Sequence, residues 1–302
     1  MGIGKLFKGY CITLQAIGMR ATIVYFSQTG NTEKVAYELA DQLQRAGYEV
    51  TPLLFEDMAD FPEALHGIDI LGIGFPTFFG HPPQFVLDEI ACLEEVADGT
   101  GAFVFTTYGG ATAGDSLFDT ALILAKKGYR IRGGLKIEGS DSYPQGKDLK
   151  INVNRPDTSD MRLVDEFAGK LIEAHGSCRD GLDPIRLAGT GEFFVKNRQL
   201  PRDEVIQDMR KSVEGRIVFN QSQCLFCEAC KKSCPTRCIS TGEAFPEFSW
   251  KCINGTKCYQ CVQNCPGKAL RVEYPGSLED YIKFRGSIAD TPEEKSRAYI
   301  MA

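Results

Sequence analysis

Eight of the nine cysteines between Cys224 and Pro266 constrain this chain more than any other feature. They fall into two runs built on one plan. Cys224, Cys227, Cys230 and Cys234 precede Pro235 with the spacing C-x2-C-x2-C-x3-C-P. Cys252, Cys258, Cys261 and Cys265 precede Pro266 with the same spacing, except for three extra residues after the first cysteine. That run is one that holds iron–sulfur clusters. Three thiolates on a tight loop grip one side of an iron–sulfur cube, and the fourth, next to a proline that turns the chain, points to the other cube. The spacing therefore predicts two 4Fe–4S clusters, one on Cys224, Cys227, Cys230 and Cys265, the other on Cys252, Cys258, Cys261 and Cys234. Cys238 is left over. Its counterpart after the second proline is Ala269, so a small apolar role suits it better than ligation. Structural zinc usually takes two cysteine pairs separated by a longer loop, and a chain of 302 residues does not need disulfide staples.

Residues 216–275 resemble the bacterial two-cluster ferredoxins. The likeness rests on the cysteine runs and on the short apolar turns 236–239 and 267–270 that follow each proline.

The first half of the chain follows a different rule, in which apolar runs alternate with stretches of helical periodicity. Residues 21–27 read as a buried strand, followed by Ser27, Gln28, Thr29, Gly30, Asn31 and Thr32. Val35, Ala36, Leu39, Ala40 and Leu43 then recur at helical spacing, and Gly47 ends the helix. A strand, a hydroxyl-rich loop and a helix N-terminus make an anion cradle, because unpaired amides and the helix dipole favour phosphate. No lysine follows the glycine, so this is no Walker A loop, and no G-x-G-x-x-G follows the strand. Hydroxyls and amides without a fixed cation suit a buried phosphate monoester.

Further strands are expected at 48–55, 69–75, 102–107 and 131–137, with Pro52 sending the second to a sheet edge. Helices are expected from Pro83 to about Glu95, over 116–127 and over 161–175. The pattern predicts an α/β fold with a doubly wound, parallel five-stranded sheet. Ligands in such sheets bind at the carboxyl ends of strands, at the switch point. Three loops lie at those ends: 27–32, then Pro76, Thr77, Phe78, Phe79 and Gly80, then Thr107, Tyr108, Gly109 and Gly110. Phe78, Phe79 and Tyr108 can stack on a flat ring, and Gly80, Gly109 and Gly110 let backbone approach its edge. His81 fits a loop or N-cap role.

The loop S-Q-T-G-N-T resembles the phosphate loop of flavodoxins, and residues 20–175 as a whole resemble that family. The resemblance implies FMN, bound by these three loops. Many flavodoxins set a tryptophan against the flavin, whereas the only tryptophan here is Trp250, in the cysteine-rich segment. Taken together, the chain resembles the flavodoxin–ferredoxin fusions, in which a flavodoxin-like FMN domain precedes a small α+β, bacterial-ferredoxin-like domain.

The expected organisation is an N-terminal extension over 1–18, an FMN-binding domain over 19–176 and a connector over 177–215. A two-cluster domain over 216–275 and a polar tail over 276–302 complete it. The extension carries a weak apolar run interrupted by Gln15, with a second candidate start at Met19. The connector has a helical stretch at 202–213. It is suited either to wrapping the first domain or to holding the second against it. The tail reads as a docking arm. Cys11 and Cys178 have no evident partner.

Charge narrows the function. The net charge of −6 argues against nucleic acid as a general partner, and no apolar run reaches the length of a membrane span. Residues 20–175 carry 13 basic and 24 acidic residues, while residues 220–275 carry 7 basic and 4 acidic. Twelve cysteines, most of them assigned to clusters, fit a reducing cytoplasm. The resemblance implies low-potential electron relay between the clusters and FMN, with redox proteins as donor and acceptor. Two alternatives stand beside it: an FMN-dependent reductase of a small acceptor such as a quinone, disulfide or oxygen species, and an assembly protein whose flavin site is lost.

Overall fold

The computed structural model describes residues 18–96, 99–177, 180–235, 237–241, 246–248 and 258–300. Cys11, Cys178, Trp250, Cys252, Thr236 and residues 253–257, the lengthened stretch after Cys252, lie outside the described residues, as does most of the N-terminal extension.

Five strands form the parallel part of the main sheet: β1 (Arg20–Tyr25), β2 (Glu49–Leu54), β3 (Ile70–Pro76), β4 (Gly101–Tyr108) and β5 (Arg130–Glu138). Helices α1 (Asn31–Arg45), α2 (Gln84–Ala91) and α3 (Ser116–Lys126) lie between strands. After β5 come the short α4 (Pro144–Asp148) and the long α5 (Thr158–Ser177). The strand order is β2-β1-β3-β4-β5, a doubly wound order with its switch point between β1 and β3. Residue 52 of β2 is a proline with no N–H to give, and β2 is an edge strand. Helix α2 stops at Ala91, short of the expected Glu95.

The sheet is covered on both faces. Val35, Leu39 and Leu43 of α1 and Val164, Phe167 and Leu171 of α5 pack on Ile23, Phe103, Phe105 and Ile137. Val86 and Ile90 of α2 and Leu117 and Leu124 of α3 pack on Ile73, Phe75, Val104 and Ile131 opposite. Burying the three α1 side chains alone contributes roughly 5–9 kcal/mol. Gly72 and Gly74 occur within the apolar run of β3 because the rings of Phe103 and Phe105 lie over them. A Cβ at either position would fall 2.4 Å or 2.0 Å from those rings.

Two helices follow, α6 (Glu192–Asn197) and α7 (Arg202–Val213), the latter over the helical stretch expected in the connector. They wrap the sheet domain. Phe194, Val205 and Met209 form a small core with Ile288, against which Phe79 and Ala111 pack, and Arg198 pairs with Asp115 at 2.9 Å.

The cysteine-rich segment contains β6 (Arg216–Phe219), α8 (Ala229–Lys232), β7 (Ile239–Thr241), β8 (Pro246–Phe248), α9 (Gln260–Gln263) and β9 (Leu270–Glu273). Strands β6 and β9 pair antiparallel, as do β7 and β8. The two cysteine runs adopt one backbone twice. Glu228 and Tyr259, each directly after a cysteine, take φ of +56° and +55° and start a four-residue helix. Arg237 and Lys268, each three residues after a fourth cysteine, take φ of +49° and +52°. Their amides donate to the Cys234 and Cys265 carbonyls, both at 3.1 Å.

The tail is part of the main domain. Helix α10 (Leu278–Ser287) begins with a capping box between Ser277 and Asp280, and β10 (Arg297–Ile300) pairs antiparallel with β5, Arg297 opposite Lys136. The sheet therefore has six strands, five parallel and one returning from the far end of the chain. The docking arm expected from the sequence is docked within its own chain.

Candidate functional site

A cleft opens at the carboxyl ends of β1, β3 and β4, and all three predicted loops line it. Together with its open mouth it spans about 910 Å³. The loop 27–32 forms one end. Gly30, with φ +87°, caps α1, and its amide donates to Ser27 Oγ at 3.1 Å. The first amides of a helix have no partner inside the helix, so the start of α1 presents donors there. Thr32 Oγ1 lies 2.8 Å from Thr107 Oγ1, joining the first loop to the third. Thr77 Oγ1 lies 2.8 Å from Thr106 Oγ1 and 2.9 Å from Ser116 Oγ, fixing the second.

At the other end, Phe78 and Phe79 are half-buried. Phe79 takes φ +52°, and the Arg210 guanidinium stands 5.5 Å from its ring centre. Tyr108 is buried, its hydroxyl accepting from the Ser296 amide at 3.3 Å. Burial beside Glu138 raises its phenol. Gly110 has φ +84°, and a Cβ there would meet Asn152 Nδ2 at 2.3 Å, so a side chain at this lip would not fit. His81 lies behind the cleft. It closes a turn with Phe78 through two backbone bonds, and its Nδ1 is 2.6 Å from Asp119. This is the loop role expected of it.

Several lining residues went unflagged in the sequence. Ser140, Asp141, Ser142 and Tyr143 follow β5 and form a fourth loop at a strand carboxyl end. Their hydroxyls were the available signal. Tyr281, Phe284 and Arg285 of α10, with Ile288 just past its end, come from 130 or more positions further along, and nothing local marks them. Arg285 donates to the Asp141 carboxylate and to the Gly109 carbonyl, each at 2.5 Å. Burial raises the Asp141 carboxyl, with Arg285 opposing the shift. The Tyr143 ring stacks on Tyr281 at 5.5 Å and meets Tyr259 edge-on at 5.3 Å. Burial pushes the Tyr143 phenol up to about 12.

The last wall is Cys258. The Gln28 side-chain amide donates to the Cys258 carbonyl, and Gln260 Nε2 donates to the Gln28 carbonyl at 3.1 Å. Gln263 Nε2 donates to the Ser142 carbonyl at 2.7 Å, and Arg237 Nη2 to the Glu56 carbonyl at 3.2 Å. The junction between the two modules is made mostly by amides meeting carbonyls. The charge difference between the halves of the chain supplies little of it.

Within the cysteine-rich segment, Cys224, Cys227, Cys230 and Cys265 line one cavity of about 670 Å³. This is the first predicted set. Of the second, Cys234, Cys258 and Cys261 are close enough to act on one another electrostatically, and Cys252 lies outside the described residues. Cys238 Sγ is 3.3 Å from Cys234 Sγ. Burial pushes the Cys258 thiol up to about 12 and raises those of Cys261 and Cys230. Among the described residues no group of three or more His, Cys, Asp or Glu closes on a single metal ion. No helix among the described residues is long and apolar enough to cross a membrane.

The flavodoxin family model matches residues 23–116, which carry all three predicted cleft loops. A search of curated proteins found no match. Among solved structures, the chain is similar to a flavodoxin from the domain Archaea, at 17% identity over 52% of this chain and 99% of that one, with a TM-score of 0.41. It is similar to oxidised flavodoxin 2 from Bacillus cereus at 24% identity, over 51% and 98% of the two chains, with a TM-score of 0.40. It is also similar to rubredoxin oxygen:oxidoreductase from the anaerobe Desulfovibrio gigas, at 16% identity over 54% of this chain and 37% of that one, with a TM-score of 0.41. The N-terminal region is a flavodoxin-like α/β sheet domain.

Proposed function

We propose that this chain is a cytoplasmic electron-transfer protein that relays low-potential electrons between two 4Fe–4S clusters and one FMN. A single observation carries the reading: a cleft built by the flavodoxin-matched loops is walled on one side by Cys258 of the second cysteine run. FMN exchanges electrons singly or in pairs and each cluster exchanges one, so the protein's part is to hold and tune them.

The residues fit both groups. Ser27, Thr29, Asn31 and Thr32, with the amides of Gln28, Gly30 and the first turn of α1, would hold the phosphate through uncharged donors and the helix dipole. Residues 76–80 and 107–110 would flank the ring system, most of them lining the cleft. Phe284 of α10 and Ile288, just past its end, would give the wall an apolar side. Cys224, Cys227, Cys230 and Cys265 would hold one cluster, and Cys234, Cys252, Cys258 and Cys261 the other. The paired left-handed residues support this. Non-glycine residues in that conformation cost about 1–2 kcal/mol each, and here they recur at equivalent places in both runs.

The visible spectrum of anaerobically purified full-length protein, with its iron, acid-labile sulfide and FMN content, tests the reading. About eight iron, eight sulfide and one FMN per chain are expected. Protein that takes up neither FMN nor iron after anaerobic reconstitution would overturn it.

A further inference from the structure

The two cysteine sets are not equivalent with respect to the cleft. Cys258 of the second set lines it, while Cys224, Cys227, Cys230 and Cys265 surround a separate cavity. Residues 258–263 are also the part of the cysteine-rich segment that is hydrogen-bonded to the cleft loops. Gln28 sits inside the phosphate-loop sequence, and its backbone carbonyl and side-chain amide both engage that stretch. Ser142 Oγ donates to Gln28 Oε1 at 3.1 Å, so both ends of the Gln28 amide are used and its orientation is fixed. On the other side, the Gln263 and Tyr259 side chains contact Ser142 and Tyr143 of the fourth loop. Tyr259 is 2% exposed, and its hydroxyl donates to the Gly215 carbonyl at 2.8 Å. The same tyrosine thus anchors the second run to the connector.

We infer that the second cysteine set is the flavin-proximal one and the first the distal one, with Gln28 as the positioning residue that holds the Cys258 carbonyl against the cleft. The inference rests on the proposed function and adds an order to it. Exchange within the chain crosses at Cys258, and the first set is left for contact with an outside redox protein. Among the described residues the first run makes no hydrogen bond to the cleft loops: Arg237, in the turn after it, reaches the Glu56 carbonyl, and Glu228, in the place of Tyr259, bonds Thr241 within its own segment.

Hydrogen exchange on the full-length, cluster-loaded protein, with FMN removed and then restored under anaerobic conditions, tests the order. FMN is expected to slow exchange of the 258–264 amides several-fold and to leave 224–230 unchanged. Equal slowing in both peptides, or slowing confined to 224–230, overturns it. A second measurement does not depend on exchange. Cys261→Ala removes a second-set ligand that does not line the cleft, and it is expected to shift the flavin midpoint potential. Cys227→Ala is expected to leave that potential within measurement error. A larger shift in Cys227→Ala also overturns the order. Protein that holds FMN and both clusters yet gives these contrary results overturns the order alone. Protein that takes up no FMN overturns the function beneath it and the order with it.

Discussion

Lys136 Nζ stands 2.9 Å from Asp290 Oδ2, and both residues are buried. Lys136 belongs to β5 and Asp290 to the segment between α10 and β10, so this pair closes the tail onto the sheet. Thr112 Oγ1 donates to Asp290 Oδ1 at 2.6 Å, and the Asp290 amide donates to the Ala111 carbonyl at 2.8 Å. The tail is thereby tied to the loop that forms the lip of the cleft.

Breaking this pair on one side leaves a buried charge without its partner. Lys136→Met is expected to lower stability by about 3–5 kcal/mol, read from urea titration by circular dichroism. Lys136→Met combined with Asp290→Leu is expected to recover much of that loss, since neither charge is then buried alone. Equal losses in the single and double variants would remove the pair from the account of tail closure.

Thr29→Ala removes one hydroxyl from an exposed position in the phosphate-loop sequence. A hydrogen bond to a charged group contributes about 1.5–3 kcal/mol, so FMN affinity should fall roughly tenfold to a hundredfold. Iron content should be unchanged. Fluorescence titration of flavin-stripped protein measures the first and colorimetric iron analysis the second. Unaltered FMN affinity would move the phosphate elsewhere.

Arg285→Leu should make stability more sensitive to pH. Burial raises the Asp141 carboxyl above its ordinary value of 3.8 and Arg285 opposes that shift, so removing Arg285 raises it further. A carboxyl raised in the folded state contributes stability that is present below the unfolded value and lost as pH climbs through the folded one. The variant should therefore be about 3 kcal/mol less stable than the parent at pH 7, with the gap narrowing as pH approaches 4. Denaturant titrations across that window check the sign. A gap that widens toward acid would contradict it.

Cys238→Ala should retain about eight iron per chain, whereas Cys234→Ala should lose about half. The 3.3 Å separation of their sulfurs makes Cys238 the natural rival for ligation. Its amide, however, also donates to Cys234 Sγ at 3.4 Å, as expected of a neighbour that supports a ligand. Loss of iron in Cys238→Ala would make it a ligand.

The alternation of apolar runs and helical periods made the parallel sheet legible in the sequence, because strand and helix patterns depend on residues near one another. Pro52 announced an edge strand for the same reason. The three cleft loops were legible because a doubly wound sheet binds at its carboxyl ends, and each loop follows its strand directly. The pairing of Cys265 with Cys224, Cys227 and Cys230 around one cavity could be anticipated because the proline after the fourth cysteine turns it away from its own run. The fourth loop, 140–143, also follows its strand directly, but it carries no glycine after Gly139 and no anion-loop pattern to mark it.

By itself, then, the sequence determined the elements whose causes are local: strands, helices, the hydroxyl loop and the repeated cysteine turns. Tertiary structure alone decided that the tail returns as β10 beside β5, that α10 supplies Tyr281 and Arg285 to the cleft, and that Cys258 faces it while the first cysteine set does not. Those outcomes depend on partners far apart in the chain, such as Lys136 with Asp290 and Gln28 with Gln260. A polar side chain in a sequence carries no mark of which distant carbonyl or carboxylate will satisfy it. That is fixed only when folding removes water from both partners, and burial then makes an unmade bond costly.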